Sequence, residues 1–134
     1  MTTQQALSIP SLELLQDFIS PNQLAFVQEC LFGEEAQFFI NKMNEIADFI
    51  TSMPSVIDET DEDKFYLHYF QGNMDWFISK KDIILDQRQA YGYADLGFGC
   101  GELGTIPIKE LLENNIELDF HFKPCTLTEV KVYR

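Results

Sequence analysis

The sequence predicts an α+β domain, with N-terminal helices packed on a mainly antiparallel sheet of about four to five strands and a short C-terminal helix. Apolar residues recur at helical spacing in the first half of the chain, and they alternate at strand spacing after Pro54. Helices followed by a meander of strands are typical of this class. A length of 134 residues, 46% of them apolar, fits a single domain over 1–134 with one sizeable core.

The first two predicted helices are short. The first covers about residues 10–19. The second begins at Pro21, where Ser20 can act as the N-cap and Gln23 completes a capping box, and it ends at Gly33.

The third predicted helix has the clearest pattern in the chain, an apolar stripe over 36–50 that Pro54 terminates. Phe38 and Phe49 lie beside this stripe and widen it. Because a wide apolar arc usually faces a core, we expect a largely buried helix. A partner-binding face is the alternative.

Short alternating segments predict the strands. The first covers 65–70, and a turn at 71–73 joins it to a returning strand around 76–78. Its two predicted faces are Phe65, Leu67 and Tyr69 on one side and Tyr66, His68 and Phe70 on the other. If Tyr66, Phe70, Trp76, Tyr91 and Tyr93 share a face, they could line a ligand groove, although aromatic residues more often fill a core.

The C-terminal part alternates strands with short helices. Strands are predicted at 89–95, 102–106 and 117–122, the last with Leu118, Phe120 and Phe122 inward. Pro107 opens a helix that ends near Asn114. Thr126 and Glu129 form a capping box before the last helix.

Acidic residues are concentrated in the helical half. The chain has 22 acidic and 9 basic residues, for a formal net charge of -13. Residues 1–63 contain twelve acids and one base, Lys42, whereas 64–134 contain ten acids and eight bases. This charge balance argues against direct nucleic-acid binding and against docking on anionic membranes, because both depend on clustered Lys and Arg.

Several features predict a cytoplasmic protein. The N-terminus lacks the cationic segment and continuous apolar run of a secretory signal, and no stretch has the length of a membrane span. The three cysteines, Cys30, Cys100 and Cys125, are odd in number and widely spaced, which is a poor disulfide framework.

The chain has no strong motif for a metal, a cofactor or a catalytic group. His121 and Cys125 lie four residues apart, but structural zinc sites use closely spaced ligand pairs. An EF-hand loop starting at Asp58 would need Gly at its sixth position, where Asp63 stands. Cys100 would need an imidazole close by to act as a nucleophile. We therefore expect no metal, no cofactor and no catalytic residue.

Several segments in the same order resemble a known family. They include Leu67–Phe70, Met74–Asp82, Gln89–Leu96 and Glu117–Pro124, and the likeness covers roughly 36–131. In these segments the chain is similar to the small bacterial proteins grouped as domain of unknown function 2958. The resemblance implies a shared fold and a setting on plasmids, phages or other mobile elements, and it implies no reaction. The chain differs in its acidic loop over 58–63, which lacks glycines, and in having Cys125 where a basic residue is expected.

Charge and resemblance together favour a non-enzymatic interaction protein in which the acidic face of the helical part (1–57), together with the acidic loop after it, binds a basic protein surface. A sharper version of this hypothesis is a DNA mimic with an anti-defence or regulatory role. The expected partner-binding residues are acidic. They are Glu34, Glu35, Asp58, Glu59, Asp61, Glu62 and Asp63.

The alternative places a small-ligand or catalytic site on the sheet-rich part, 64–131. Its expected residues are His68, Asp75, Trp76 and Glu102. This hypothesis requires the four side chains to meet in one concave pocket. The identity of the partner or ligand, the strand order and the oligomeric state do not follow from the sequence.

Overall fold

A computed structural model describes residues 9–58 and 64–133, with side chains described over 13–58 and 64–132. The helices are α1 (Ile9–Gln16), α2 (Pro21–Cys30), α3 (Ala36–Ser52), α4 (Ile108–Glu113) and α5 (Leu127–Tyr133). The strands are β1 (Lys64–Phe65), β2 (Leu67–Gln71), β3 (Met74–Lys80), β4 (Ala90–Asp95), β5 (Glu102–Ile106), β6 (Glu117–Leu118) and β7 (Cys125–Thr126). The predicted α+β class, with helices first and a short C-terminal helix, is confirmed.

The main sheet contains five strands in the order β5-β4-β3-β2-β6, and every neighbouring pair is antiparallel. The predicted hairpin is the β2–β3 pair. Gly72 in its turn has a φ of 59°, a left-handed conformation that glycine adopts without strain. β1 and β7 form a separate two-stranded pair.

Two apolar clusters lie on opposite faces of this sheet, because successive strand residues point to opposite sides. The larger cluster joins the sheet to α1, α2, α3 and α4, and it contains Tyr69 and Ile78. The smaller cluster contains Phe77 and Tyr93 from the sheet and Val130 from α5. The helical layer therefore covers one face and the C-terminal helix covers part of the other.

The first predicted strand is interrupted, and the predicted facing of its first two residues is wrong. β1 ends at Phe65, and β2 begins at Leu67. Phe65 belongs to the smaller cluster, whereas Tyr66 and Leu67 both belong to the larger one. The reason is that β1 leaves the main sheet to pair with Cys125 and Thr126 in β7, so the alternation restarts at Tyr66.

The strand predicted at 117–122 ends after two residues. Asp119 starts a turn, in which its Oδ1 accepts the His121 N–H at 2.9 Å. The turn sends Leu118 into the larger cluster and Phe122 into the smaller one. The prediction that these side chains face the same way is therefore wrong.

Both predicted capping boxes can be compared with the structure. Thr126 and Glu129 bond reciprocally, with Glu129 Oε1 accepting the Thr126 N–H at 3.0 Å and Thr126 Oγ1 accepting the Glu129 N–H at 3.3 Å. The box at Ser20 and Gln23 is wrong, because Ser20 makes no side-chain cap bond. The Gln23 amide turns instead to Leu118, donating to its carbonyl at 2.8 Å and accepting its N–H at 2.9 Å. A side-chain amide thus takes the place of a further strand beside β6.

Candidate functional site

The corner between α2 and α3 presents phenylalanine rings and carboxylates together. Its members, which we call the acidic–aromatic corner, are Phe26, Glu29, Phe32, Glu34, Glu35 and Phe38, all of them exposed. Phe32 is 93% exposed, and about half of Phe26 and Phe38 is exposed. Single exposed apolar residues are ordinary, but several large exposed rings on one short stretch form an apolar patch.

The local sequence explains why these rings are outside. α2 ends at Cys30, and consecutive turns follow, in which Gly33 N–H bonds the Cys30 carbonyl and Ala36 N–H bonds the Gly33 carbonyl. These turns place Phe32 in the connection, away from both helices' buried faces. On α3 the buried stripe predicted from spacing is confirmed, but Phe38 lies beside it and remains half-exposed.

A buried ring connects two of the exposed ones. Phe39 makes edge-to-face contacts with Phe26, at 5.9 Å between ring centroids, and with Phe38, at 5.2 Å. Such contacts add to the apolar burial of the rings and hold them in place. The surface is therefore an ordered aromatic array anchored on the core through Phe39.

The carboxylates of the corner carry an uncompensated charge. Over the described residues, no Lys, Arg or His nitrogen lies within 4.0 Å of the carboxylates of Glu29, Glu34 or Glu35. Lys42 is paired with Glu45 at 3.1 Å, and its Nζ stands 6.0 Å from the Phe38 ring centre. The acidic–aromatic corner is therefore negatively charged, and its exposed rings lie among the carboxylates.

Of the other predicted acidic residues, Asp58 is described. It is exposed, and its Oδ2 accepts the Ser55 N–H at 2.8 Å, which closes the local turn. Glu59, Asp61, Glu62 and Asp63 lie outside the described residues.

A second constellation is buried in the sheet half. His68 on β2 is 4% exposed, and it lies between two carboxylates. Its Nε2 is 2.6 Å from Asp75 Oδ1, and its Nδ1 is 3.0 Å from Asp119 Oδ2. The imidazole stacks on Phe77 with ring centres 4.4 Å apart and planes inclined by 6°.

Fold topology brings these three residues together. The β2–β3 hairpin places His68 opposite Phe77, close to Asp75, and the turn after β6 carries Asp119 back to β2. That return is fixed by a bond from the Asp119 N–H to the His68 carbonyl at 2.7 Å. Asp95 on β4 is the strand neighbour of Asp75, so a further carboxylate group stands close by.

The chemistry of the His68 group follows from its donors and acceptors. Each imidazole nitrogen lies within hydrogen-bond distance of a carboxylate oxygen, so one histidine links two acidic side chains. Because the three side chains are nearly enclosed by protein, this is a buried polar network that fixes the sheet. It offers little surface to a substrate.

The remaining two residues of the predicted ligand pocket lie elsewhere. Trp76 follows Asp75 on β3 and therefore faces the larger cluster on the opposite side of the sheet. Glu102 is an exposed residue of β5, aligned with Trp76 through Ala94. The structure thus brings His68 and Asp75 together and separates both from Trp76 and Glu102.

Cysteine and histidine residues are the other candidates for chemistry that the sequence offers. In the part of the chain that the structure describes, no group of three or more His, Cys, Asp or Glu side chains could hold a metal ion. All three cysteines are free. Burial, with Glu129 nearby, raises the pKa of the Cys125 thiol, so this thiol is less reactive than an ordinary one.

Sequence reasoning found Glu34 and Glu35 from charge density, and His68 and Asp75 as polar residues on adjacent strands. It missed Asp119 as the third member of the His68 group, since 51 residues separate the two. It also missed Phe26 and Phe32 on the corner. Their apolar character next to Glu29 and Glu34 was the available signal.

Comparison with known proteins gives a family and no activity. No curated protein and no solved structure is significantly similar to the chain. None of the helices described is both long enough and apolar enough to cross a membrane. The model of the family described as "Protein of unknown function (DUF2958)" matches residues 44–130, which cover β1 to β7, most of α5 and the C-terminal part of α3. The resemblance seen in the sequence is confirmed, and the chain belongs to this family.

Proposed function

We propose that the chain is a non-enzymatic binding protein whose acidic–aromatic corner engages a basic surface on another protein. The observation that carries the proposal is the exposure of Phe26, Phe32 and Phe38 among carboxylates that have no cation beside them in the described residues. Phe39 holds Phe26 and Phe38 in place. Large rings supply the desolvated anchors on which protein interfaces depend. Carboxylates around them steer and orient a basic partner.

Arginine is the side chain that best fits this surface. Its planar guanidinium can stack on a phenyl ring and donate two parallel hydrogen bonds to a neighbouring carboxylate. An arginine-rich protein surface could therefore use the rings and the carboxylates of the corner at the same time. A surface made for solubility alone would have no need of rings as exposed as Phe32.

As a finer proposal, the partner is a nucleic-acid-binding protein and the acidic helical half competes with its nucleic acid. Such proteins expose clustered Arg and Lys, which the net charge of -13 complements. Blocking a host defence or regulatory protein in this way would suit a protein of a plasmid or phage. A cytoplasmic location belongs to the same proposal, and the three free cysteines are in keeping with it.

The ligand-binding or catalytic alternative has less support. It requires four side chains to converge, and Trp76 and Glu102 lie away from the buried His68 and Asp75. The first experiment therefore tests binding through the acidic–aromatic corner.

The test compares matched variants in capture from bacterial lysate, with the partner identified and then purified for direct titration. The corner variant is Glu34→Gln with Glu35→Gln, and its control is Glu110→Gln with Glu113→Gln, the same charge change on α4. A second pair is Phe32→Ser and Val132→Ser, since both side chains are highly exposed. We expect each corner variant to weaken binding of a basic protein by about tenfold or more and each control to leave it unchanged.

Two outcomes would contradict the proposal. One is a partner whose affinity is the same for the corner and control variants. The other is a partner without a basic surface. Duplex DNA added as competitor tests the finer proposal, because a DNA mimic must be displaced by DNA, whereas a partner bound equally well with and without DNA excludes mimicry.

A further inference from the structure

Strand β5 forms one edge of the main sheet, on the side away from β6. In the described parts of the chain, no strand lies on its outer side. Every second residue of an edge strand directs its N–H and C=O away from the sheet, where only water or another strand can pair with them. Folded proteins usually guard such an edge with lysine, proline or a bulge. β5 has the sequence Glu-Leu-Gly-Thr-Ile and pairs regularly with β4 throughout, so it carries none of these guards.

Exposed apolar residues flank this edge. Leu103 within β5 is 47% exposed, and Leu96 and Phe98 in the preceding loop are 50% and 83% exposed. With Ala94 and Ile106 they line a groove of about 370 Å³ along the strand. An open backbone edge beside an apolar groove fits an added β-strand better than it fits a small polar ligand.

The loop that carries Phe98 is held in place. The Gly101 N–H bonds the Tyr93 hydroxyl at 3.1 Å, and a Cβ added at Gly101 would stand 2.4 Å from the Tyr93 ring. At Gly97, a Cβ would meet the Asn73 side chain at 2.9 Å, and φ is 95°. Close packing at both glycines fixes the course of the loop, so the exposure of Phe98 is a property of the fold.

We propose that β5 is a dimerisation strand, on which a second copy of this chain places its own β5 in antiparallel register about Gly104. Gly104 is the middle residue of the five, so a twofold axis there keeps every residue of both strands paired. A Cβ built at Gly104 has no neighbour within 4 Å, so the face of the sheet is open at the proposed axis. The two main sheets then join into one continuous sheet of ten strands, five from each copy.

Electrostatic repulsion between two copies of the chain is weaker at this edge than at the acidic–aromatic corner. Like-charge repulsion opposes self-association of a protein with a net charge of -13. Residues 96–106, which form the loop and the strand, contain a single charged residue, Glu102. In the proposed register Glu102 lies opposite the partner's Ile106, so the two carboxylates of the dimer stay apart. The acidic–aromatic corner remains free to bind its own partner.

The first experiment is sedimentation of the full chain from about 1 to about 300 µM, a range in which weak homodimers dissociate. Leu103→Lys adds an edge lysine at an exposed position, and Val132→Lys adds the same charge to α5. We expect a dimer for the natural chain and for Val132→Lys, and a dissociation constant raised about tenfold or more for Leu103→Lys. If the chain is a monomer at every concentration tested, the proposal is wrong. The edge would then be free to pair with an extended peptide of another protein. A dimer that both lysine variants form equally also overturns it.

The second experiment tests the register and does not depend on a destabilising variant. Residues directly opposite in an antiparallel pair have Cα atoms about 4.5–5.5 Å apart, within the span of a disulfide. Gly104→Cys in a Cys100→Ser background is expected to cross-link two copies under mild oxidation. Thr105→Cys in the same background is the control. In the proposed register Thr105 lies opposite Leu103 of the second copy, so the two introduced cysteines would be too far apart to form a disulfide. Absence of the Gly104→Cys cross-link in a dimeric chain overturns the proposal. The Glu34→Gln, Glu35→Gln variant must dimerise normally, which separates this result from the fate of the proposed function.

Discussion

His68 Nε2 lies 2.6 Å from Asp75 Oδ1, and both side chains are buried beneath the smaller apolar cluster. With Asp119 on the other ring nitrogen, the imidazole joins β2, β3 and the turn after β6 through one side chain. Removing a single member of such a network takes a hydrogen bond from each of its buried neighbours, which costs more than the bond itself contributes. His68 is therefore the polar residue of the sheet whose replacement we expect to cost the most stability.

His68→Ala is expected to lower the free energy of unfolding by about 3 kcal/mol, because Asp75 Oδ1 and Asp119 Oδ2 each lose a hydrogen bond inside the protein. Urea unfolding followed by circular dichroism measures the change. His121→Ala is the matched control, since His121 is exposed and its replacement should cost less than about 0.5 kcal/mol. Equal losses for the two variants would show that the buried group does not stabilise the fold.

Gly92 and Gly104 face each other across the β4–β5 ladder, yet they should respond differently to alanine. A Cβ at Gly92 would stand 1.9 Å from the Phe77 carbonyl oxygen, so Gly92→Ala must push β3 and β4 apart. A Cβ at Gly104 meets nothing within 4 Å. We expect Gly92→Ala to destabilise the protein by about 3 kcal/mol or more, and Gly104→Ala to change stability by less than about 1 kcal/mol. Thermal unfolding measures the stability of the two variants. Similar melting temperatures would contradict the close approach between Gly92 and the Phe77 carbonyl oxygen.

Tyr69 predicts a dependence of stability on alkaline pH. Its hydroxyl donates to the Phe18 carbonyl, and burial raises the pKa of Tyr69 far above its usual value near 10. Above about pH 10 the unfolded chain loses this proton while the folded chain keeps it, so stability falls as pH rises through that range.

Tyr69→Phe should therefore cost about 1 kcal/mol at neutral pH through the lost hydrogen bond. It should also show a smaller loss of stability between about pH 9 and pH 11 than the natural chain. Urea titrations at a series of pH values make the comparison. Parallel pH curves for the two proteins would mean that Tyr69 titrates in the folded state as it does in the unfolded one.

Asp82 organises the loop between β3 and β4. Its carboxylate accepts the N–H groups of Ile84, Leu85 and Gln89, each at 3.0 Å. Burial acts to raise the pKa of Asp82, but these three donors outweigh it and hold the pKa below its ordinary value.

A lowered pKa gives stability that is present above about pH 4 and lost as pH falls below it, when the carboxylate is protonated. Asp82→Ala is expected to cost about 2–3 kcal/mol at pH 7, since three backbone donors lose their acceptor. The gap between variant and natural chain should narrow below about pH 4. Glu113→Ala serves as control, because the Glu113 carboxylate is exposed and no basic side chain of the described residues lies within 4.0 Å of it. A gap that stays constant with pH would contradict the role of the charge.

Local patterns predicted most of the elements but not how distant segments meet. Helical spacing located α3 and its buried stripe, and the capping box at Thr126 and Glu129 located the start of α5. The box at Ser20 and Gln23 had an equally good local pattern and is wrong, because the Gln23 amide bonds the sheet edge at Leu118, 95 residues away. The residues around Ser20 and Gln23 do not indicate that Gln23 has a hydrogen-bond partner so far away in the sequence.

The candidate surface was predicted in part for the same reason. Charge density marks Glu34 and Glu35 without any structure, since a formal charge does not depend on the fold. Phe38 lies beside the α3 stripe and widens the apolar arc, so the sequence predicts that it is largely buried. Only packing determines how much of a ring at the margin of a stripe is covered. Its contact with Phe39, and through Phe39 with Phe26 on another helix, is a tertiary fact.

The sequence by itself therefore determined the fold class, the family, the approximate positions of most helices and strands, and the concentration of acid in the helical half. These are properties of residues close together in the chain, or of the chain as a whole. Only the tertiary structure decided that β1 leaves the main sheet at Tyr66, that Asp75 and Asp119 converge on His68, and that Trp76 faces away from them. Strand register and chain reversal set these relationships, and both depend on contacts between segments that the order of residues does not place side by side.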